Sequence, residues 1–529
     1  MHIEILDFDP AIISGLLREA GERPVKLQLL VDGVVIAGNW GIPAPNHDEQ
    51  TFRFNLSAIW NYIGNKARLQ IRANDILADL PAPTFATDPK FSLDNLKQKL
   101  EAGYVFNEKG KLQLSKTVDI AWQNNMFALF HGMSIILAEK GIKLFVMYGT
   151  LLGAYRNHNF IGHDHDFDAG YISSHTDPEK VTAEFVEVAE ILSKHGYQVV
   201  CKLSCLWVTD LKSNVTIDIF HTYFSKSGKL LLPFGVCGVK PFMRSDFHGY
   251  ADIELAGQKV CSVANTESLV EYIYGTNWRT PNPGHNWKLD RTENDTLALA
   301  KPKHRSLIYW TNYYYHNPTI PRPSPFAKYI SRSGYLRRTV VDVGCGNGRD
   351  SFHFSKVRPI VIGIDNCEVG IELARAQMKR RSGGLLRSLF RLFTSTPSLS
   401  FATGDITTPT MVTNTLRAIK PSHRKHGVTL YARFVLHAIT RVQQEKFFEN
   451  ISKELINGDT VALEFRTNHD EEIKKKNKFF GRRFINPNDI EKQLHHLGFQ
   501  VVAREEGLNL SKHFEENPHL CRLVLVKKN

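Results

Sequence analysis

An apolar strand that runs straight into three closely spaced glycines constrains the fold of this chain more than any other feature. Residues 339–350 read TVVDVGCGNGRD, and a second apolar strand at 360–364 is followed by Asp365. This acid comes about twenty residues after the glycines, where a Rossmann-type site needs a carboxylate for ribose hydroxyls. The pattern therefore predicts an α/β domain with a ligand site at the ends of its first two strands.

The spacing of the glycines distinguishes this site from a dinucleotide site. Arg349 stands where the G-x-G-x-x-G fingerprint has its third glycine. The G-x-G-x-G pattern followed by Asp365 instead resembles class I S-adenosylmethionine-dependent methyltransferases, and the resemblance covers residues 305–529. It implies an α/β Rossmann-like domain with methyltransferase activity. The cofactor S-adenosylmethionine is then bound by Asp342, Gly344, Gly346, Gly348, Asp365 and Asp405.

A basic residue and a histidine follow the fourth predicted strand of this domain, in residues 428–437, VTLYARFVLH. The resemblance implies that Arg433 or His437 orients the methyl acceptor, or that His437 acts as its base. A histidine after a buried strand is as often a packed structural residue. The sequence leaves both interpretations open.

Another candidate site, earlier in the chain, lies between Tyr148 and Asp168, where the chain reads YGTLLGAYRNHNFIGHDHDFD. A strand here would place Asp164, Asp166 and Asp168 on one face, because side chains alternate along a strand. Three like charges so close repel unless a cation lies among them. Carboxylate oxygens suit Mg²⁺ or Mn²⁺ carrying the phosphates of a nucleotide. The alternative interpretation is a solvated acidic turn.

Two further features support a phosphate and metal site. A tight turn containing Gly149 and Gly153 is predicted to let backbone N–H groups approach phosphates. The segment 215–220, VTIDIF, has the pattern of a buried strand with Asp218 in its middle. A buried carboxylate needs a hydrogen-bond partner, a cation or a metal, so an ion pair with a core lysine or arginine is the alternative. The predicted metal ligands are Asp166, Asp168 and Asp218.

Three separated motifs resemble the LicD and fukutin-related group of proteins. They are GTLLGAYR with its aspartate cluster, VTIDIF, and YGTNWRTP at 274–281, within roughly residues 120–290. The resemblance implies an α+β nucleotidyltransferase fold that transfers a phospho-alcohol from a CDP-activated donor to a glycan. It also implies catalytic roles for Asp166, Asp168, Asp218 and Arg156, and donor binding by Gly149, Thr150 and Gly153.

The aspartate cluster departs from the usual pattern of that group. Its Trp-Asp-Asp-Asp-x-Asp stretch is here His163-Asp-His165-Asp-Phe-Asp168, and Gly162 replaces a common proline. The exchange at His165 could alter the preferred metal or the donor. The resemblance therefore predicts the type of reaction and leaves the substrate open.

Composition limits the cellular setting and the partners. The chain has 529 residues, a formal net charge of +12 and seven cysteines without a C-x-x-C pair. The odd number of scattered cysteines favours free thiols in a reducing compartment. With no apolar run long enough for a membrane span and no signal-peptide pattern, we expect a cytoplasmic protein. The positive charge predicts an anionic partner.

One basic segment suggests a membrane contact. Residues 379–393 read KRRSGGLLRSLFRLF, with leucine and phenylalanine at helical spacing and arginines between them. Such a helix suits the surface of an anionic membrane, and the predicted location is then peripheral on its inner face. An ordinary amphipathic helix packed on its own domain is the alternative. Co-sedimentation with anionic liposomes, lost in Leu389→Asp and Phe390→Asp variants, separates the two.

The predicted architecture is multidomain. Short alternating runs with an Asp32-Gly33 hairpin signal predict a small N-terminal β-sandwich. Helices are predicted at about 91–102, 116–140 and 180–195. The predicted divisions are a β-rich accessory domain at 1–88, a nucleotidyltransferase-fold domain at 89–300, a proline-rich connector at 301–325 and a methyltransferase domain at 326–529.

These features together predict a bifunctional enzyme of cell-surface polysaccharide modification. Its partners would be a CDP-alcohol type of donor and a glycan or lipid-linked glycan acceptor, with methylation of the product or acceptor. An RNA end-modifying enzyme is the first alternative, disfavoured because no aromatic and basic platform for single strands is present. The second alternative is that one domain has become a binding scaffold, for which His165 is the only indication.

Overall fold

The chain forms two compact units, Met1–Leu299 and Ala300–Asn529. The structure is a computed structural model and describes all residues except 44–47, 87, 108, 281–296, 383–397, 420, 472–482, 513–515 and 529. Most of the basic segment 379–393 lies outside the described residues. Among the helices of the described residues, none combines the length and the apolar character that a membrane span requires.

Two four-stranded antiparallel sheets form the N-terminal part of the first unit. Their strands are β1 His2–Phe8, β2 Ile12–Arg18, β3 Lys26–Val31, β4 Val34–Trp40, β5 Ile42–Pro43, β6 Glu49–Asn55, β7 Leu69–Ala73 and β8 Ile76–Asp79. The pairing orders are β1-β2-β6-β5 and β4-β3-β7-β8. Buried residues alternate along β2 and β6, and side chains of both sheets share one apolar core. Asp32 and Gly33 both have positive φ and join β3 to β4, which confirms the predicted hairpin.

A mixed sheet carries the first candidate site. Its strands are β11 Phe145–Val146, β12 Asp168–Ile172, β13 Gln198–Cys201, β14 Cys205–Asp210, β15 Val215–Phe224 and β16 Leu230–Leu231. The order is β11-β12-β15-β14-β13, with β16 paired to β15. Only β12 and β15 run parallel among these pairs. Two short hairpins accompany this sheet: β9 Tyr104–Phe106 with β10 Leu112–Leu114, and β17 Tyr250–Leu255 with β18 Gln258–Val263.

The helices of the first unit are α1 Leu93–Glu101, α2 Ile120–Ala138, α3 Tyr148–Asn157, α4 Pro178–Lys194 and α5 Thr266–Tyr274. Among these, α1, α2 and α4 lie where the sequence predicts helices, whereas α3 and α5 were not predicted. The carboxylate of Asp177 accepts hydrogen bonds from the first turn of α4, and Pro178 occupies its first position. The apolar faces of α2 and α4 pack against β15. These helices close the core behind the first candidate site.

Two local predictions around the aspartate cluster are wrong. The residues 164–167 are not in a strand, because β12 begins only at Asp168, where its pairing with β11 and β15 starts. The stretch before it has no β-branched residue after Ile161 and no pairing partner. Gly149 and Gly153 lie in helix α3 and not in a tight turn.

The second unit is built on one seven-stranded sheet. Its strands are β19 Thr339–Val343, β20 Ile360–Asp365, β21 Ser398–Thr403, β22 Val428–Arg433, β23 Thr460–Arg466, β24 Phe499–Gly507 and β25 Leu520–Lys527. The order is β21-β20-β19-β22-β23-β25-β24. β25 is antiparallel to both of its neighbours, β23 and β24, and the five strands from β19 to β23 are paired in parallel. Every residue of β19 and β23 is buried, as expected of strands covered on both faces.

Helices cover this sheet. They are α6 Pro302–His316, α7 Pro325–Arg332, α8 Arg349–Phe354, α9 Glu368–Ser382, α10 Pro409–Arg417, α11 Pro421–Arg424, α12 Arg441–Glu454 and α13 Pro487–His496. Helix α6 falls inside the segment predicted as a connector, 301–325, and packs on α9. Its apolar and aromatic residues at helical spacing bury part of the helix, with Pro302 at its first position. Between α6 and α7, the prolines from Pro318 to Pro323 lie in irregular backbone.

Candidate active sites

The first candidate site begins with two acids on adjacent parallel strands. Asp168 is the first residue of β12, and Asp218 is its register partner in β15. Residues paired across neighbouring strands point to the same side of the sheet and lie about 5 Å apart. The Asp218 N–H donates to the carbonyl of Phe167 at 2.9 Å. The two carboxylates therefore lie side by side at one end of this strand pair.

The start of helix α3 holds Asp168 in place. The Gly149 N–H donates to Asp168 Oδ2 at 2.9 Å, and the Asp168 N–H donates to Thr150 Oγ1 at 2.8 Å. A helix N-terminus carries a partial positive charge, which favours a carboxylate there. Thr150 is buried, so its hydroxyl fixes the backbone of the acid.

Backbone strain marks the same position. Tyr148 has a φ of 40°, an uncommon conformation for a bulky residue. Its hydroxyl donates to the carbonyl of Gly235 at 3.2 Å, which anchors the side chain. Strain of this kind persists only where the surrounding structure holds it, and it concentrates at functional sites. It places the Gly149 amide against the acids.

The acids of this site repel one another. Burial raises the pKa of Asp168 well above its usual range, and the charges of Asp164 and Asp218 raise it further. Burial also raises the pKa of Asp218 to about 7, with an added rise from Asp166. A divalent cation among the carboxylates would remove this repulsion and return them to the charged form. The donor set consists of hard oxygen ligands and fits Mg²⁺ or Mn²⁺.

The predicted metal set, Asp166, Asp168 and Asp218, leaves out two neighbours of Asp166 that also offer ligand atoms, Asp164 and His165. Asp164, His165 and Asp166 each offer an atom within 4.8 Å of the others. The carboxylate of Asp164 also lies against Gly149, beside that of Asp168. His165, which the sequence suggested as a loss of function, is thus part of the cluster. The sequence signal was the acidic run itself, but the turn that gathers its members could not be predicted.

The remaining predicted residues of this site are Gly153 and Arg156, and they have different surroundings. Gly153 lies inside α3, where a Cβ would meet the carbonyl of Asn159 at 2.6 Å, so the glycine permits a close backbone contact. The Arg156 side chain donates to Asn157 Oδ1 at 2.8 Å and to the carbonyl of Trp278 at 3.4 Å. Burial lowers the pKa of Arg156. Through Trp278, the third motif, YGTNWRTP, thus contacts helix α3.

The second candidate site is the loop after β19. Gly344, Gly346 and Gly348 have φ values of 72°, 56° and 76°, which other residues rarely adopt. The Gly346 N–H donates to Asp365 Oδ2, and the Cys367 N–H donates to its Oδ1, both at 2.8 Å. Asp365 thereby ties the glycine loop to the end of β20. This edge, where the strand order reverses beside β19, is the position at which open α/β sheets bind ligands.

The other predicted acids of this loop support the backbone. Asp342 is buried under the loop and accepts a hydrogen bond from Ser351 Oγ at 2.5 Å. Burial raises the pKa of Asp342 to about 7. Asp405 follows β21 and accepts hydrogen bonds from the N–H and hydroxyl of Thr407 at 2.8 and 2.6 Å. All of these residues lie at the carboxyl edge of the sheet.

Sequence reasoning missed an aromatic residue over the glycine loop. Tyr314 of α6 places its hydroxyl against Gly346 and its ring edge 3.0 Å from the position of a Cβ on Gly370. Burial raises the pKa of Tyr314 well above its usual range, and the charge of Asp365 adds to the rise. The aromatic run in α6 was a visible signal, but the segment was predicted to be a connector.

The two residues predicted to handle the methyl acceptor are both engaged. Arg433 donates from Nε to Glu464 Oε1 at 2.7 Å, and its guanidinium lies 4.0 Å from the Phe434 ring centre. His437 is buried, with 6% of its surface exposed, which favours the packed interpretation. Phe434, between them, has a φ of 61°. This backbone strain lies at the end of β22, between the two residues predicted to handle the acceptor.

Glu464 is the centre of a buried ionic group, and its loss is expected to destabilise the second unit. It accepts hydrogen bonds from Arg433, Arg522 and Ser511. Glu464→Gln removes the carboxylate that pairs with Arg433 and with buried Arg522, and among the described residues Arg522 keeps only its ion pair with Glu505. We therefore expect a loss of about 3 kcal/mol in the free energy of unfolding. Urea unfolding measures it.

The matched control is Glu445→Gln, which removes the exposed helical pair with Arg441. That change is expected to cost about 0.5 kcal/mol or less. Equal losses in the two variants would show that the buried group contributes no more than a surface pair.

Comparison with known proteins finds a family match in part of the first unit. Residues 141–232 match the model of the LicD/FKTN/FKRP family, nucleotidyltransferase domain. This range contains α3, the aspartate cluster and β15. No curated protein matches the chain significantly.

Solved methyltransferases are similar to part of the chain. A SAM-dependent methyltransferase from Anabaena variabilis is 17% identical over 42% of this chain and 92% of its own, with a TM-score of 0.32. A TehB-like SAM-dependent methyltransferase from Corynebacterium glutamicum is 16% identical over 43% and 100%, with a TM-score of 0.28. Magnesium protoporphyrin IX methyltransferase from Synechocystis is 16% identical over 38% and 76%, with a TM-score of 0.26. The chain thus contains a segment, residues 141–232, that matches the LicD/FKTN/FKRP nucleotidyltransferase domain, and a second unit built on a seven-stranded α/β sheet.

Proposed function

We propose that the chain is a bifunctional transferase that modifies a glycan. The first unit transfers a phospho-alcohol from a CDP-activated donor, and the second methylates the product or the acceptor with S-adenosylmethionine. The observation that carries the proposal is the pairing of Asp168 with Asp218 at the start of α3, inside the segment that matches the LicD family. Cell-surface polysaccharide is the acceptor class that the resemblance favours.

The carboxylates of the first unit provide a metal site. Asp166, Asp168 and Asp218 would hold Mg²⁺ or Mn²⁺, with Asp164 and His165 close enough to take part. The bound ion would neutralise the donor diphosphate and stabilise the leaving oxygen. Gly149 and Thr150 keep Asp168 in position through its side chain and backbone. We assign them this positioning role in place of direct phosphate binding.

Arg156 and Asp218 complete the proposed chemistry. Arg156 lies near Tyr274, a buried residue whose pKa is raised by burial and then by Asp168. The charges of Arg156 and Asp168 both act on the pKa of Tyr274, and a guanidinium in this position would balance charge on the transferred phosphoryl group. Asp218, whose carboxylate is charged when the ion is bound, would also be placed to take the proton of the acceptor hydroxyl.

The second unit is proposed to bind S-adenosylmethionine at its glycine loop. The three glycines have positive φ values, a conformation that favours residues without a side chain, so these positions leave the loop open to a ligand. The Asp365 carboxylate holds the loop in place by accepting the Gly346 N–H. A bound S-adenosylmethionine would supply the methyl group from its sulfonium centre. The chain orients the acceptor from the edge of β22, where Phe434 is strained and Arg433 is held by Glu464. We place the protein in the cytoplasm, where both activated donors are available.

Separate variants of the two sites test this division of labour. Asp166→Ala is expected to abolish the release of CMP from a panel of CDP-alcohols, because it removes a proposed ligand of the metal ion. Calorimetry is expected to show that the variant binds S-adenosylmethionine within about two-fold of the wild-type affinity. Asp365→Asn is expected to weaken S-adenosylmethionine binding and leave CMP release intact. Loss of both activities in either variant would contradict two independent sites.

A further inference from the structure

A basic groove runs between two helices of the second unit. It encloses about 490 Å³ and is covered by the proline-rich segment that precedes α7, from Pro318 to Pro323. One wall follows α8 from Arg349 and continues just past the helix to Lys356. The other follows α9 from Leu373 to Arg380. Both walls contribute residues at intervals of three or four, so a single face of each helix lines the groove.

The groove leads away from the proposed cofactor site. Helices that follow parallel strands run back across the sheet, so their last residues lie near the edge opposite the glycine loop. Lys356 comes just after the end of α8, and Arg380 lies in the last turn of α9. The cations at this end of the groove are therefore not part of the proposed S-adenosylmethionine site.

The charge of the lining is entirely positive. Arg349, Lys356, Arg380 and Arg381 line the groove, and no carboxylate among the described residues does. Arg349 is paired with Asp350 at 3.3 Å. Arg381 lies over the Phe352 ring, 4.3 Å from its centre. Within the described part of the chain, Lys356 and Arg380 form no ion pair, so these two charges are available to a ligand.

Part of the remaining lining is apolar, which narrows the class of ligand. Ile320, Pro321 and Leu373 form a non-polar wall beside the cations. A volume of this size suits one small molecule, within the usual range of about 300–1,000 Å³ for ligand pockets. Guanidinium and ammonium groups around one cavity favour phosphate oxygens, which accept several charge-assisted hydrogen bonds. We propose that this groove binds a phosphate-bearing organic molecule through Lys356 and Arg380, with its organic part on the apolar wall.

This binding site is independent of the two proposed reactions. It uses none of the residues assigned to either active site. A phosphate group could come from a soluble ester or from a lipid headgroup, and both share the same contacts with the groove. The two sources differ in whether a membrane is needed for binding, so they can be separated by experiment.

Binding of pyrophosphate to the full chain in EDTA tests the proposal, because without a divalent ion the acidic site of the first unit repels phosphate. Calorimetry compares the wild type with Lys356→Ala/Arg380→Ala. Both side chains are exposed, so the variant is expected to fold, which an unchanged melting temperature checks. Removing two charge-assisted contacts is expected to weaken binding at least about ten-fold. The matched control, Lys446→Ala/Lys453→Ala, removes two exposed lysines from α12 and is expected to bind as the wild type does.

Sedimentation with vesicles of phosphatidylcholine, with and without phosphatidylserine, distinguishes the sources. Loss of pyrophosphate binding alone in the groove variant identifies a soluble phosphate ester. Loss of sedimentation with the anionic vesicles, with or without the other loss, identifies a lipid headgroup. Wild-type behaviour of the groove variant in both measurements, or equal loss in the α12 control, would overturn the proposal.

Discussion

Asp168→Asn is expected to abolish phospho-alcohol transfer and, at the same time, to make the metal-free first unit more stable. The carboxylate is buried beside Asp164 and Asp218, and both raise its pKa. The amide oxygen of asparagine can still accept the Gly149 N–H, so the local hydrogen bond survives. Relief of like-charge repulsion in a buried site is expected to raise the free energy of unfolding by about 1 kcal/mol or more.

The activity of this variant is expected to fall by about a thousand-fold, the size of effect seen when a key electrostatic group is removed from a reaction site. CMP release from a CDP-alcohol measures it. Thermal unfolding with and without Mn²⁺ measures the effect of the ion on stability. The wild type should be stabilised by the ion, and the variant should not.

Asp252→Asn is the matched control, because it changes an exposed carboxylate in the same unit. It should alter neither the activity nor the response to Mn²⁺. A destabilised Asp168→Asn protein that still responds to Mn²⁺ would show that the acid serves the fold and not a cation.

The sequence predicted the second sheet well because its signals are local. Three glycines with positive φ are required by the loop itself, and Asp365 follows a short buried strand that any parallel sheet needs. The partner of Arg433 was not predictable in this way. Glu464 is its register neighbour in β23, and that contact exists only once the strand order is known.

The first site shows the same limit. The acids were found because a buried carboxylate in VTIDIF and an acidic run are both unusual. Their arrangement was predicted wrongly, because alternation in the sequence suggested a strand where the chain forms a turn before β12. Whether a short acidic stretch pairs as a strand depends on its neighbours in space, which local pattern does not contain.

Gly346→Ala is expected to remove S-adenosylmethionine binding from the second unit, and it tests the fit between α6 and the glycine loop. A Cβ at this position would overlap the Tyr314 hydroxyl and come 2.9 Å from Cζ of the same ring. The φ of 56° adds the ordinary cost of a left-handed conformation for alanine, about 1 kcal/mol. Tyr314 is buried, so it cannot swing away without opening the loop, and the total loss of stability is expected to be about 3 kcal/mol.

Gly334→Ala is the matched control, since its φ of 79° carries the same backbone cost but no atom lies within 4 Å of its Cβ position. It is expected to lose about 1 kcal/mol and to bind S-adenosylmethionine normally. Calorimetric titration and urea unfolding of the two variants separate the overlap from the backbone cost. Because Tyr314 and Asp365 both contact Gly346, a loop displaced by the new methyl group loses its carboxylate anchor as well. If both alanine variants bind the cofactor equally well, then α6 does not constrain the loop and Tyr314 has no part in the site.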